Sequence, residues 1–320
     1  MDKGHNRERE ITMEFGNYQF LIRLTDDAFL PSYKGSTFRG LLGHALKSVV
    51  CPLKLENCSS CILRSTCTYA LCFETGHALP LTKNARISAP PHPMVLEPPL
   101  TEKMEFKKGD TLECGLLLFG NINRNLPYFI YAFDQMGRIG IGKKIRGQRG
   151  GFVLEGVRSG EKEVYSSKTR SITKDAQKAL TLSCPEGRHA VKELSIILET
   201  PLRVNIQSRV APLLPFSLLV RNMIRRTTSL LNCYGNGEPD IDYSAIAERA
   251  GRIEVSDHNL KWHDWKRYSN RQEREMFMGG ISGKITYTGE LSEFLPMIEM
   301  AEKVHLGKNT LFGLGKIKRR

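Results

Sequence analysis

Residues 304–320 read VHLGKNTLFGLGKIKRR, and residues 138–157 read RIGIGKKIRGQRGGFVLEGV. The two segments register at one constant offset, with Gly142-Lys143 over Gly307-Lys308 and Gly150 over Gly315. Their surroundings repeat as well. FGNYQFLIRLTDDAF alternates apolar and polar residues around Phe20, Ile22 and Leu24, the period of a half-buried strand. GSTFRGLLGHALKSVV follows, with Ser36 or Thr37 as N-cap and Phe38, Leu41, Leu42, Ala45, Leu46 and Val49 at helical spacing. A cysteine-rich loop and a Pro-rich stretch, SAPPHPMVLEPPL, lead to a strand at DTLECGLLLFG and a short helix at NLPYFIYAFDQMG. The first glycine loop and a strand come next. In the second half, ELSIILETPLRV reads as a strand and PFSLLVRNMIRRTTSLLNCYG as an amphipathic helix closed by Gly235. GGISGKITYTGEL reads as a long strand or strand pair, and SEFLPMIEMAEKV as a helix before the second glycine loop and a last strand. The repeated order predicts a duplicated βαββαβ unit. The expected fold class is α+β, with tandem ferredoxin-like (RRM-like) domains at residues 1–188 and 189–320 and a cysteine-rich insertion at 51–72. Such a sheet carries its helices on one face, and RNA-recognition domains of this design bind single strands on the other.

Charge agrees with a nucleic-acid partner. The chain of 320 residues has 47 Lys and Arg against 34 Asp and Glu, a formal net charge of +13. Apolar runs of the length a membrane span needs, about 18 residues, are absent from the sequence. The opening MDKGHNRERE lacks the apolar region of a secretory signal. These features predict a soluble, cytoplasmic protein with reduced thiols and no membrane partner.

The glycine segments fail the tests for a nucleotide phosphate loop. Ile317 follows Gly315-Lys316 where Ser or Thr is required, and Lys318 stands where a third glycine belongs. Each segment also follows a helix and precedes a strand, the reverse of a nucleotide loop. Arg138, Lys143, Lys144, Arg146 and Arg149 crowd the first, with no acid between Asp134 and Glu155. Lys308, Lys316, Lys318, Arg319 and Arg320 mark the second. Close backbone approach plus cations suits a nucleic-acid backbone; two ordinary turns are the alternative. LKWHDWKRYSNRQER interleaves Trp262, Trp265 and Tyr268 with Lys261, Lys266, Arg267 and Arg271. It reads either as a base-stacking platform or as a hairpin packing its tryptophans inward. Arg221 and Arg225 share a helix face beside Arg226, for RNA contact or for solvation.

The cysteine pattern is Cys51-x6-Cys58-x2-Cys61-x5-Cys67-x4-Cys72. A C-x2-C pair offers two soft thiolates to one ion, and two more close a tetrahedron. Cys51, Cys58, Cys61 and Cys67 are the expected ligands of a structural zinc. An iron–sulfur cluster takes the same donors, and metal-free thiols are the third reading.

HLGKNTLFGLGKI resembles the glycine-rich C-terminal motif of the RAMP superfamily of CRISPR-associated proteins. WHDWKRYSNRQ followed by GGISGKITYTGEL resembles the C-terminal domain of its repeat-RNA-processing endoribonucleases, and YKGSTFRGLLGHALKSVVC with YALCFE resembles their N-terminal part. The resemblance spans most of the chain in the same order. It implies an enzyme that binds CRISPR repeat RNA and cuts pre-crRNA without metal. The 2′-OH attacks the adjacent phosphate, giving a 2′,3′-cyclic phosphate and a 5′-OH. That reaction needs a base, an acid and positive charge at the phosphorane. His44, on the first helix where family members place a catalytic histidine, is the first candidate, with a packed histidine as the alternative. Tyr33 would orient RNA or imidazole, and Lys47, three residues after His44, would stabilise the phosphorane. His305 is the rival histidine; His258 and His263 rank lower. Expected RNA contacts are Lys34, Arg39, Lys143, Lys144, Arg146, Arg149, Arg267, Lys308 and Lys316. Two other readings remain: a non-catalytic RAMP RNA-binding subunit of a CRISPR effector complex, and a metal-stabilised RNA-binding protein outside CRISPR.

Overall fold

The computed structural model describes residues 12–54, 57–79, 87, 89–173, 178–181, 190–210, 212–238, 242–264, 266–269 and 274–320. In the first half the chain runs β1 (Thr12–Leu24), α1 (Gly35–Val50), β2 (Met94–Glu97), β3 (Thr111–Phe119), α2 (Leu126–Ile139) and β4 (Phe152–Ser159). Antiparallel pairing orders the strands β4-β1-β3-β2. The second half runs β5 (Glu193–Leu202), α3 (Phe216–Tyr234), β6 (Glu254–His263), β7 (Gly280–Thr288), α4 (Leu295–Val304) and β8 (Ile317–Arg319). Its order is β6-β7-β5-β8, the same arrangement strand for strand. The fold is α+β, two ferredoxin-like units in tandem. The boundary expected between 188 and 189 falls outside the described residues.

The parity of β1 explains how the halves meet. Successive strand side chains point to opposite faces. Tyr18, Phe20, Ile22 and Leu24 enter the core under α1 and α2, where Phe20 stacks on Phe133 with ring centroids 4.1 Å apart. Met13 and Phe15, of opposite parity, join a second cluster with Val95, Leu117 and Phe119. Leu230 and Leu231 of α3 and Met300 and Val304 of α4 complete it. The outer face of the first sheet is therefore covered, at this end, by helices of the other half, and the expected open face is not open there. The end of α3 is also tied to β1: the Thr12 N–H donates to Asn236 Oδ1 at 2.8 Å, and the Asn236 N–H donates to the Thr12 carbonyl at 3.1 Å.

Three local readings change. The expected N-cap at Ser36 or Thr37 moves to Lys34, which makes no side-chain cap bond. The helix starts at Gly35, pressed against the Phe312 carbonyl, where a Cβ would stand 2.3 Å from that oxygen. The Pro-rich stretch contains a core strand, β2, because Met94, Val95 and Leu96 are all buried. The first glycine loop is a hairpin, Ile141–Ile145 with Gln148–Gly150, turning at Arg146 and Gly147 with φ of 49° and 87°.

The duplication extends to the helix ends. Ile139 and Val304 close α2 and α4 at the offset of the glycine segments, followed by Gly140 (φ 80°) and His305 (φ 55°). The outcomes differ. Lys143, Lys144, Ile145, Arg146, Gly147, Gln148 and Arg149 are exposed, whereas Leu311, Phe312, Gly313, Leu314 and Gly315 are buried.

This difference is measurable with one substitution in each segment. A Cβ at Gly315 would stand 1.8 Å from the Leu306 carbonyl oxygen, and one at Gly147 meets nothing within 4 Å. Both have positive φ. In chemical denaturation Gly147→Ala should cost about 1 kcal/mol, the backbone strain alone, and Gly315→Ala about 3 kcal/mol or more.

Candidate active site and nucleic-acid interface

Helix α1 divides its residues between two faces. Phe38, Leu42, Ala45 and Leu46 are buried, and His44 is exposed. Lys47 shares the face of His44, half-buried, with its ammonium 5.4 Å from the centre of the Tyr69 ring. Gly43 lets the helix Thr68–Phe73 pack close, since a Cβ there would touch the Phe73 ring at 3.0 Å. One face of α1 thus anchors the helix and the other presents an imidazole and an ammonium.

The segment before α1 is held by buried polar bonds. Lys34 is fully buried. Its ammonium donates to the carbonyls of Pro31 at 3.2 Å, Ser32 at 3.1 Å and Thr101 at 2.5 Å. Burial holds its pKa below the usual lysine range. The expected RNA contact is corrected: this lysine clamps a loop. Tyr33 donates its hydroxyl to the Phe312 carbonyl, and burial pushes its pKa far up, so it stays a neutral donor. The Arg39 guanidinium lies 4.9 Å from the Phe73 ring centre and 5.3 Å from that of Phe312.

His305 is also corrected. The ring is fully buried, with Nδ1 3.0 Å from the Leu314 carbonyl oxygen and Nε2 2.8 Å from Glu97 Oε1. Lys316 is half-buried, its ammonium 3.0 Å from the same Glu97 oxygen and 3.9 Å from Glu199 Oε2. Burial pushes the Glu97 pKa up, but the His305 hydrogen bond and the charges of His305 and Lys316 outweigh it and hold the carboxyl at about 2.

Cations remain accessible elsewhere. Lys143, Lys144, Arg146 and Arg149 project from the hairpin, and Lys308 is exposed. The concavity beside the hairpin, about 560 Å³, is lined by Arg138, Lys144 and Arg149 together with Asp26. The side chain of Arg267, with those of Trp265 and Arg271, lies outside the described residues. Trp262 is half-buried against the core of the second half, which includes Leu202, Leu260 and Ile281, with the Arg209 guanidinium 4.7 Å over its ring. Arg221 and Arg225 are exposed, whereas Arg226 turns inward, its Nε donating to the Val304 carbonyl at 3.1 Å. Burial lowers the Arg226 pKa to about 10, and the group remains a cation at neutral pH.

Two residues escaped the sequence reading. His92 pairs Nδ1 with the Thr75 hydroxyl at 2.7 Å. Burial, with Arg39 and Arg226 nearby, lowers its pKa to about 4, so the ring is neutral at physiological pH. Glu97 is the other, at the end of β2. The apolar Met-Val-Leu between prolines was the signal for both, since a buried strand there brings its flanks inside.

Of the four cysteines, Cys51 follows α1, Cys67 precedes the helix Thr68–Phe73, and both line, with Cys61, a concavity of about 480 Å³. Burial pushes the Cys58 thiol up, and Cys67 and Cys51 are close enough to add to the effect. Among the described residues no three His, Cys, Asp or Glu side chains are grouped closely enough to hold a metal ion as they stand.

Comparison with known proteins agrees with this architecture. A family model described as an N-terminal domain matches residues 13–178, and that of the CRISPR-associated endoribonuclease Cas6 matches residues 196–317. An uncharacterized protein of Archaeoglobus fulgidus is 26% identical over 290 residues, covering 89% of this chain and 91% of its own. Among solved structures, a chain of the partial Cas6-RT-Cas1–Cas2 complex superposes with a TM-score of 0.59 at 14% identity, over 96% of this chain. This chain spans 46% of that one, under half its length. Thermus thermophilus Cas6 (TTHB231) gives a TM-score of 0.54 at 14% identity, over 97% of this chain and 99% of that one. Its product complex gives 0.53 at 16%, over 95% and 100%. At these identities the structural likeness speaks for the fold.

The correction at Lys34 has a clear signature. Lys34→Met leaves three carbonyls without their ammonium and should cost about 2–4 kcal/mol in denaturation. The salt dependence of RNA binding should keep its slope. Lys144→Ala should leave stability within about 0.5 kcal/mol and lower that slope by about 1.

Proposed function

We propose, from the match of residues 196–317 to the family model of the CRISPR-associated endoribonuclease Cas6 and from the fold, that the chain is a RAMP-type repeat-RNA-processing endoribonuclease, which binds CRISPR repeat RNA and cuts the precursor at the face of α1 that carries His44. One observation supports this placement above the others. Of the two histidines that compete for the chemistry, His44 is exposed and His305 is fully buried with both nitrogens engaged.

The proposed reaction needs no metal. His44 takes the proton of a ribose 2′-OH, and the O2′–P bond forms as the P–O5′ bond breaks. The leaving O5′ takes a proton from solvent, which leaves a 2′,3′-cyclic phosphate and a 5′-OH, and His44 returns its proton to water. Lys47, on the same face, offsets the charge that builds on the phosphorane. The hairpin cations and Lys308 hold the RNA backbone, so that geometry as well as proton transfer contributes to the rate. A CRISPR effector complex is the second partner in this reading, as the recipient of processed RNA. No described helix is long and apolar enough to cross a membrane.

The test is cleavage of repeat RNA in EDTA. A single cut is expected, abolished by a 2′-deoxy substitution at the scissile ribose. His44→Ala should slow it by about 10²–10⁴-fold with repeat binding retained. Binding without any cut would place the protein with non-catalytic RAMP subunits instead. A cut that survives His44→Ala would move the chemistry elsewhere.

We also propose that Cys51, Cys58, Cys61 and Cys67 form a structural metal site, with zinc as the ion and an iron–sulfur cluster as the alternative. Support comes from the spacing and from the concavity shared by Cys51, Cys61 and Cys67. The Cys58–Cys61 turn must close on the other two thiols. Elemental analysis of anaerobically purified protein should find one zinc per chain, lost in Cys58→Ser/Cys61→Ser. Broad visible absorbance would identify the cluster, and metal-free protein would remove the site.

A further inference from the structure

We propose that Glu97 is a positioning residue for the α1 site: by holding His305 and Lys316 it locks the C-terminal glycine loop onto the residues that open the catalytic helix. This inference rests on the reading of α1 as that helix. It starts from the burial of the loop. Residues 305–316 join α4 to β8, and most of them lie inside the protein rather than along an RNA path.

Glu97 ends β2, in the first half of the chain, whereas His305 and Lys316 flank the loop in the second. Both cations meet one oxygen, Oε1, at 2.8 Å and 3.0 Å. Hydrogen-bond accounting fixes the role of the ring. The Leu314 carbonyl only accepts, and so does an ionised Glu97, so His305 satisfies both as an imidazolium donating from each nitrogen. Its backbone has a positive φ of 55°, which costs a non-glycine residue about 1 kcal/mol or more and persists only where surroundings enforce it.

Between these ends the loop is fixed at Gly313. The Thr200 hydroxyl donates to the Gly313 carbonyl at 2.8 Å and accepts from the Lys316 N–H at 2.8 Å. A Cβ at Gly313 would stand 2.7 Å from the Leu96 carbonyl and 2.5 Å from Pro98 Cδ, so the loop lies directly on β2. Phe312 then makes the connection to α1. Its carbonyl accepts from the Tyr33 hydroxyl and sits over Gly35, and its ring faces the Arg39 guanidinium. Tyr33, Gly35 and Arg39 are within about three helical turns of His44, on an element whose other face is packed.

Neutralising Glu97 leaves two cations facing a site built for a carboxylate, and breaking one partner of a buried pair is the costly direction. The loop then loses its seat on β2, and the start of α1 loses the Phe312 contacts. A small misplacement of a reacting group is enough to cut a rate by up to about 100-fold.

The experiment is Glu97→Gln in the full chain, followed by single-turnover cleavage at saturating repeat RNA, repeat-RNA affinity, and hydrogen exchange without RNA. The cleavage rate should fall by about 10–100-fold, with Kd changed by less than about threefold. Exchange should rise in 31–40 and 305–316 and stay unchanged in Phe152–Ser159. Unchanged exchange at 31–40 overturns the proposal, as does a uniform rise across the chain, which marks a purely structural role. A loss of affinity that accounts for the loss of rate also overturns it. If Glu97→Gln does not fold, Glu97→Gln/His305→Gln removes both charges of the pair and is read by the same criteria. The exchange result does not use cleavage, so a wild-type protein that fails to cut would sink the functional reading while exchange still decides the coupling.

Discussion

A single carboxylate oxygen at the end of a strand in the first half accepts two cations from the second. The joint between the halves is arranged around the cost of burying that charge. Glu97 is only slightly exposed, at 14% of its side chain, and a carboxylate so placed survives as a charge only because both cations are fixed. The glycine loop fixes them, and can do so only because it is itself buried. Its close contacts with Leu96, Pro98 and Leu306 leave no room for side chains at Gly313 and Gly315. Glycine in this segment serves close packing between the two units, a different use from the anion cradle that composition alone suggests.

The two copies of the duplicated unit have consequently diverged in opposite directions. Both leave a helix through a positive-φ residue, Gly140 in one and His305 in the other. The first copy continues into a basic hairpin in solvent, the second into an apolar loop that seals the joint between halves. Apolar area removed from water stabilises the joint without direction; the hydrogen bonds of Tyr33, Thr200 and His305 give it register. The same logic separates the lysines. Lys34 and Lys143 look alike as letters beside glycines, yet one spends its three donors on carbonyls inside and the other keeps them for a partner outside.

Much of the architecture was legible because periodicity survives duplication. Phe20, Ile22 and Leu24 announce a strand, and the stripe from Phe38 to Val49 announces the helix that bears His44. What composition could not reveal is depth. Nothing local distinguishes a lysine that faces RNA from one that faces three carbonyls, nor a histidine at a loop start in solvent from His305. That distinction depends on Glu97, more than two hundred residues away in sequence, inside a stretch whose prolines read as a connector. Trp262 is a similar case: its cation-rich neighbours suggest base stacking, and the ring packs on the core of the second half.

The contact between Tyr33 and Phe312 spans 279 residues, close to the full length of the chain. During synthesis the first unit can gather its own core around Phe20 and Phe133 long before residue 312 exists. The start of α1, however, receives the Phe312 contacts only when the C-terminal glycine loop is made. A nascent chain therefore carries the start of α1 in an unfinished seat until Phe312 has been made.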